Sequence, residues 1–208
     1  HLSIRRQRQM CIRDRAGRGA RTTGIDFSEK MIRLARLEER KHRLGIRYHK
    51  VDAADLKGLS SDCFDLVTCF TPLQDIEHYE KAISEVARVL KNSGRFIFSI
   101  PHPCFETTVR KRMRIHAWLG YFGTVKCPIR WNMKRLSKPF RTTGFHRTLS
   151  DYSRALYKNG FLIRRMIEPT PTSKAARKHP PLREVLVRPQ SVIIESVKAS
   201  RKARAYES

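Results

Sequence analysis

Aspartate 26 closes a short β-branched run, Arg21-Thr-Thr-Gly-Ile-Asp26, and a second aspartate, Asp52, follows the expected strand Ile46–Val51. A carboxylate at the end of a buried strand can accept hydrogen bonds from both hydroxyls of a ribose, the task an acid performs there in dinucleotide-binding folds. The other role open to Asp26 is to start the helix that follows, and Asp52 has the ordinary option of a turn aspartate. A third candidate is His102, in Ile100-Pro-His-Pro-Cys-Phe105. It follows another apolar run, and ligand sites in open α/β sheets lie beyond the carboxyl ends of the strands. Its imidazole is therefore placed to take a proton from a substrate; the alternative is a histidine that orders a loop between two prolines. His146 and Tyr152 either line the same pocket or cap and pack the following helix. Cys104 reads as a small buried hydrophobe. The cysteines at 11, 63, 69, 104 and 127 form no CxxC pair and no zinc spacing, so no metal site is expected. They read as reduced thiols of a cytoplasmic protein.

The elements that position these residues alternate. Ser28 is a suitable N-cap, and Met31, Ile32, Leu34, Ala35 and Leu37 then recur at helical spacing up to about Arg43. Ile46–Val51 is a strand, and Phe64–Phe70 is a buried one. A helix is expected from about His78 to Leu90, with Ile83, Val86, Ala87 and Leu90 on one face, stopped by Asn92-Ser-Gly94. Arg95–Ile100 is the next strand. Strands alternating with helices predict a parallel sheet covered on both faces. Residues 103–147 carry Trp118, Tyr121, Phe122, Trp131 and Phe140 among many basic residues, with no clear period. Order returns with a helix at 150–160, started by Ser150 and stopped by Gly160. Strands Phe161–Glu168 and Ser191–Val197 follow, separated by a proline-rich loop with one short helix at Leu182–Leu186, and 198–208 is a polar tail.

Gly24-Ile-Asp-Phe-Ser-Glu-Lys-Met-Ile32, Val51-Asp-Ala53, Phe64-Asp-Leu-Val67 and Glu85-Val-Ala-Arg-Val-Leu-Lys-Asn-Ser-Gly94-Arg-Phe occur in order and at fitting distances. Together they resemble the class I S-adenosylmethionine-dependent methyltransferases of the small-molecule type, over residues of about 17 to 197. The resemblance implies an α/β fold: a Rossmann-like, doubly wound, mostly parallel sheet with an antiparallel last strand. It implies S-adenosyl-L-methionine as cofactor and a small, anionic acceptor methylated at O, N or C. Asp26, with Phe27 beside it, would hold the ribose. Asp52 and Ala53 would contact the adenine, through the carboxylate and the next backbone N–H. Phe70 and Thr71 would meet the methionine part through their backbone. Residues 103–147 would form an insertion or cap over the acceptor in a domain spanning 16–197, and a subset of the family shows a similar His-Pro-Cys-Phe.

Gly17-Arg-Gly19 is not the family's glycine-rich cofactor loop. Such a loop follows its own strand and precedes the ribose acid by about 20 residues, whereas Asp26 is 7 residues after Gly19. Gly17–Ala20 reads as the end of a helix, so the family's first strand and glycine-rich loop are expected upstream of this chain. In the family that strand lies between the second and fourth, and without it cofactor binding is expected to be weak. Residues Arg5–Asp14, RRQRQMCIRD, resemble the translation of a transposase-based sequencing adapter, and residues 1–15 are expected to be non-native.

Excluding residues 1–15 lowers the net charge of +25 by 4, to +21, so the basic character belongs to the remainder. Such a field attracts anions and leaves the fold open. Eleven Lys or Arg and no acid lie in 109–147. With the interleaved aromatics this is a lid over an anionic or aromatic acceptor, an RNA-contacting surface as in tRNA methyltransferases, or a solvated basic face. No apolar run approaches the roughly 18 residues of a membrane span.

Overall fold

The computed structural model describes residues 12–70, 73–105, 121–131 and 140–200, and it divides into one compact unit up to Leu59 and another from Ser60. In the first unit residues 12–17 form a helix, α1, which runs into a turn where Gly19 adopts φ +88°. Strand β1 (Thr23–Asp26) then pairs in parallel with β2 (Arg47–Lys50), and α2 (Glu29–His42) connects them. Gly24 has no room for a side chain, because a Cβ there would stand 2.7 Å from the Tyr48 ring on β2. Of the apolar residues expected to face inward, Met31, Ile32 and Ala35 are buried, while Leu34 and Leu37 stay 38% and 44% exposed. Ser28 occupies the N-cap position, but its side chain makes no capping bond. The Asp26 carboxylate accepts from the Ser28 backbone N–H instead, at 2.8 Å. At the other end Arg43 turns left-handed, and the Glu39 carboxylate receives the N–H groups of Gly45 and Ile46.

The second unit holds a four-stranded sheet in the order β3 (Phe64–Phe70), β4 (Leu90–Pro101), β8 (Ser191–Lys198), β7 (Phe161–Ile167). Strands β3 and β4 are parallel, and the last strand, β8, runs antiparallel to both of its neighbours. Among the described residues β1 and β3 each have a strand partner on one side only. Helix α3 (Tyr79–Val89) links β3 to β4 and buries Ala82, Ile83, Val86 and Val89. Alternate residues of β4, Phe96, Phe98 and Ile100, are fully buried, and the first two rings stack at 4.8 Å. Phe161 and Tyr152 close on them at 5.9 and 6.1 Å. Each such side chain contributes about 2–3 kcal/mol by leaving water. Where β8 carries charge into the sheet it is paired: Glu195, 5% exposed, meets Arg165 at 3.1 Å and Arg95 at 3.6 Å.

Three features depart from the sequence expectations. Residues without a readable period include an antiparallel hairpin, β5 (Val125–Trp131) with β6 (Phe140–His146). The proline-rich loop contains a helix, α5 (Ser173–Lys178), and Leu182–Leu186 is two 3-10 turns, Pro180–Leu182 and Glu184–Leu186. Helix α4 (Leu149–Lys158) is capped by Thr148 and not by Ser150. Thr148 Oγ1 accepts from the Asp151 N–H, and the Asp151 carboxylate accepts from the Thr148 N–H at 2.9 Å, a reciprocal capping box.

Burial pushes the Asp151 carboxyl up, but the backbone and hydroxyl of Thr148, with Arg154 and Arg147 nearby, outweigh it and hold the group below its ordinary 3.8. A depressed carboxylate contributes stability above its unfolded value and loses it as pH falls through the folded one. Thr148→Ala should therefore cost about 1 kcal/mol at pH 7. In urea denaturation that difference should shrink below pH 3.8; a constant difference down to pH 2 would contradict the coupling.

Candidate functional site

In the first unit the two parallel strands end side by side. Asp26 stands opposite Lys50 in the register, and the Val51 N–H donates to the Asp26 carbonyl at 3.2 Å. Asp52 is thus the next residue but one on the adjoining strand end. Its Oδ1 accepts from the Ala54 N–H at 2.9 Å, as Asp26 Oδ1 accepts from Ser28. Each carboxylate is oriented by one backbone donor at Oδ1 among the described residues. Asp52 is exposed, Asp26 and Ala53 are half-buried, and the Phe27 ring is 79% exposed.

In the second unit Phe70 ends β3 half-buried, opposite Ser99 of β4. Thr71 lies outside the described residues. Three residues beyond Ser99, His102 is 4% exposed, and its backbone N–H donates to the Gln190 carbonyl at the start of β8. The Cys104 N–H donates to His102 Nδ1 at 3.2 Å, and His102 Nε2 lies 2.7 Å from Glu168 Oε1. Cys104 is exposed and not the buried hydrophobe expected from its type, because the turn after Pro103 leads its side chain outward. The structure thus gathers Phe70 and His102 at one sheet edge and Asp26, Asp52 and Ala53 at another. Sequence reasoning missed Glu168, which is 66 positions from its partner; its only signal was an acid between the end of a strand and Pro169.

A second missed residue is Arg147. It is 2% exposed and donates to the carbonyls of Ile76 at 2.7 Å and Glu77 at 3.0 Å. Its guanidinium lies 4.1 Å from the Tyr79 ring centroid and 4.7 Å from that of Phe145. Arg147 therefore ties the segment after β3 to the end of the hairpin, a structural use of one of the eleven basic residues. Lys126 pairs with Glu77 at 3.1 Å. His146 reaches the Tyr121 carbonyl through Nε2, and the buried Tyr152 packs edge-on against Tyr79. Burial pushes the Tyr152 phenol up to about 12, and burial with Glu80 and Asp151 nearby does the same for Tyr79. Among the described residues no cluster of three His, Cys, Asp or Glu could hold a metal, and no helix is long and apolar enough to cross a membrane.

Residues 9–98 match a family model described as a methyltransferase domain. A crystal structure of an S-adenosylmethionine dependent methyltransferase from Mesorhizobium loti aligns with a TM-score of 0.63 at 26% identity, over 85% of this chain and 80% of that one. A structure from Listeria monocytogenes, also described as S-adenosylmethionine dependent, gives 0.65 at 26% identity, over 86% and 80%. Over residues 9–98 the chain resembles that methyltransferase domain, and its fold is that of the S-adenosylmethionine dependent methyltransferases it aligns with. As in that Rossmann-like α/β fold, β1 pairs with β2 and β3 with β4 in parallel, and the last strand, β8, runs antiparallel to its neighbours. Among curated proteins this chain is 33% identical over 84 residues to the ubiquinone biosynthesis O-methyltransferase of Alkalilimnicola ehrlichii, covering 40% of this chain and 34% of that protein. The match to such relatives therefore spans about a third of their length.

Arg147→Ala should leave the carbonyls of Ile76 and Glu77 without donors and lower unfolding free energy by about 3 kcal/mol. Arg147→Lys should recover only part of it, since an ammonium cannot serve both carbonyls while lying flat on two rings. Equal stability of the lysine variant and the parent in urea would refute this account.

Proposed function

We propose that this chain transfers a methyl group from S-adenosyl-L-methionine to an oxygen of a small acceptor. The observation that carries this is the pair of strand-end aspartates, Asp26 and Asp52, each oriented by one backbone donor at Oδ1. Asp26 would accept hydrogen bonds from the ribose hydroxyls, and Asp52 from the adenine amino group with the Ala53 N–H donating to the ring. The Phe27 ring would shield the sugar from water. When bound, the cofactor supplies an electrophilic methyl carbon on a sulfonium. The protein's own work is to hold the acceptor oxygen in line with that carbon, which needs position more than functional groups. Relatives named for ubiquinone biosynthesis O-methylation favour an oxygen acceptor. A net charge of +25 favours an anionic one. The commitment of Lys126 and Arg147 to internal partners weighs against an RNA surface built on those two residues.

An NMR titration of the chain with S-adenosylhomocysteine, carried into the millimolar range, should move the amides of Asp26, Phe27, Asp52 and Ala53. Asp26→Ala should weaken the apparent affinity about tenfold or more, equivalent to roughly 1.4 kcal/mol, while leaving the thermal midpoint nearly unchanged. Saturable shifts confined to other residues, or an unaltered affinity in the variant, would sink the reading.

A further inference from the structure

The carboxylate of Glu195 collects more positive charge than it needs. Its side chain is 7% exposed, and a buried acid is tolerated only when paired and hydrogen-bonded. Arg165 alone meets that need, donating from a terminal nitrogen to Oε2 at 3.1 Å. Two further guanidinium groups nevertheless approach Oε1, Arg95 at 3.6 Å and Arg164 at 3.7 Å. Both distances are too long for a hydrogen bond, so these two arginines add charge without adding a bond. Among the described residues neither has another ion pair. Three guanidinium groups against one carboxylate leave a formal surplus of two positive charges at one spot on the sheet.

Backbone geometry produces the convergence. Strands β4, β8 and β7 lie side by side, and Glu195 stands opposite Ile97 on one side and Arg165 on the other. Arg95 precedes Ile97 by two residues and so shares its face. On β7 the register slips between Ile163 and Arg165, which makes Arg164 the additional residue of a bulge. Regular alternation would send consecutive side chains to opposite faces; here the bulge brings both arginines to the same carboxylate. The side chains of Arg95, Arg164 and Arg165 are 48%, 63% and 64% exposed, so the cluster is open to solvent. On the same face the register sets apolar pairs to either side, Leu162 opposite Val197 and Ile167 opposite Ile193. Leu162 and Ile167 are both exposed.

We infer that this spot binds a phosphomonoester whose organic part is apolar. The surplus of two charges matches the phosphoryl dianion near neutral pH. Three planar guanidinium groups offer forked donors to its three terminal oxygens, a geometry that suits arginine better than lysine. Leu162 and Ile167 flank the anion and take the organic part. Glu195 gathers the arginines from within the sheet and stays out of contact with the ligand. The site lies wholly within the second unit and is independent of methyl transfer.

The test titrates the full chain at low ionic strength with phenyl phosphate and, separately, with inorganic phosphate. Both should give saturable NMR shifts at Arg95, Arg164 and Arg165. Phenyl phosphate should bind roughly fivefold more tightly, the effect of covering about 40 Å² of apolar surface. Arg95→Gln and Arg164→Gln should each weaken phenyl phosphate about tenfold. Neither should move the thermal midpoint much, because Arg165 still pairs with Glu195. Arginines that serve only to neutralise Glu195 would give the reverse, a lowered midpoint with an unchanged titration, and that result overturns the inference. So do shifts of equal size at arginines all over the surface, or no saturable shift at these three. Equal affinity for the two phosphates overturns the apolar organic part.

Discussion

A carboxylate can serve a ligand accurately only if something else first fixes its direction. Two acids of this protein meet that constraint in the same manner. Asp26 gives one oxygen to the Ser28 N–H, and Asp52 gives one to the Ala54 N–H. In each case a hydrogen bond to the charged group does the aiming, and such bonds are stronger than neutral ones. The cost of ordering the side chain is met during folding, before any ligand arrives. Both acids stand at the ends of parallel strands because backbone N–H groups in the succeeding turn need acceptors there. On the reading proposed above, fold and ligand would use opposite oxygens of one group.

Arg147 solves a related problem with the opposite charge. The carbonyls at 76 and 77 need donors, and the two aromatic rings that flank the guanidinium replace the water it would otherwise keep. The hairpin and the segment after β3 are thereby joined through polar bonds and not through an apolar seam. The buried Tyr152 and the half-buried Tyr79 beside it, both pushed up to about 12, stay neutral across the physiological range and leave the arginine's charge undisturbed.

The alternation from β1 to β4 was legible because each element has its own period, although α3 ends at Val89 and Asn92-Ser-Gly94, read as the helix stop, lies inside β4. The strand-end aspartates were legible because their role depends on local sequence alone. What was hidden depends on partners distant in the chain. In the β5–β6 hairpin Val125, Cys127, Ile129 and Trp131 do recur at every second position, but Pro128 interrupts the run and the partners His146, Gly144, Thr142 and Phe140 carry no matching period. Thr148 lies two residues before Ser150, and only the reciprocal bond with Asp151 identifies which of them caps the helix. His102 was correctly placed at a strand end, but its ring chemistry is set by Cys104 two residues on and by Glu168 on another strand. At Ser28 the residue type suggested a side-chain cap that is not formed; its backbone N–H instead donates to the Asp26 carboxylate.

The position of β8 has a kinetic side. The strand that comes last in sequence is inserted between β4 and β7, and Ser196 Oγ reaches the Phe96 carbonyl across 100 positions of chain. On a ribosome, β4 and β7 would emerge without their shared neighbour, each with a bare hydrogen-bonding edge. The platform carrying His102 and Glu168 would assemble only once residues 191–198 had cleared the exit tunnel, a long-range closure of the kind that slows folding. During that interval the nascent chain would depend on chaperones to cover Phe96, Phe98 and Ile100.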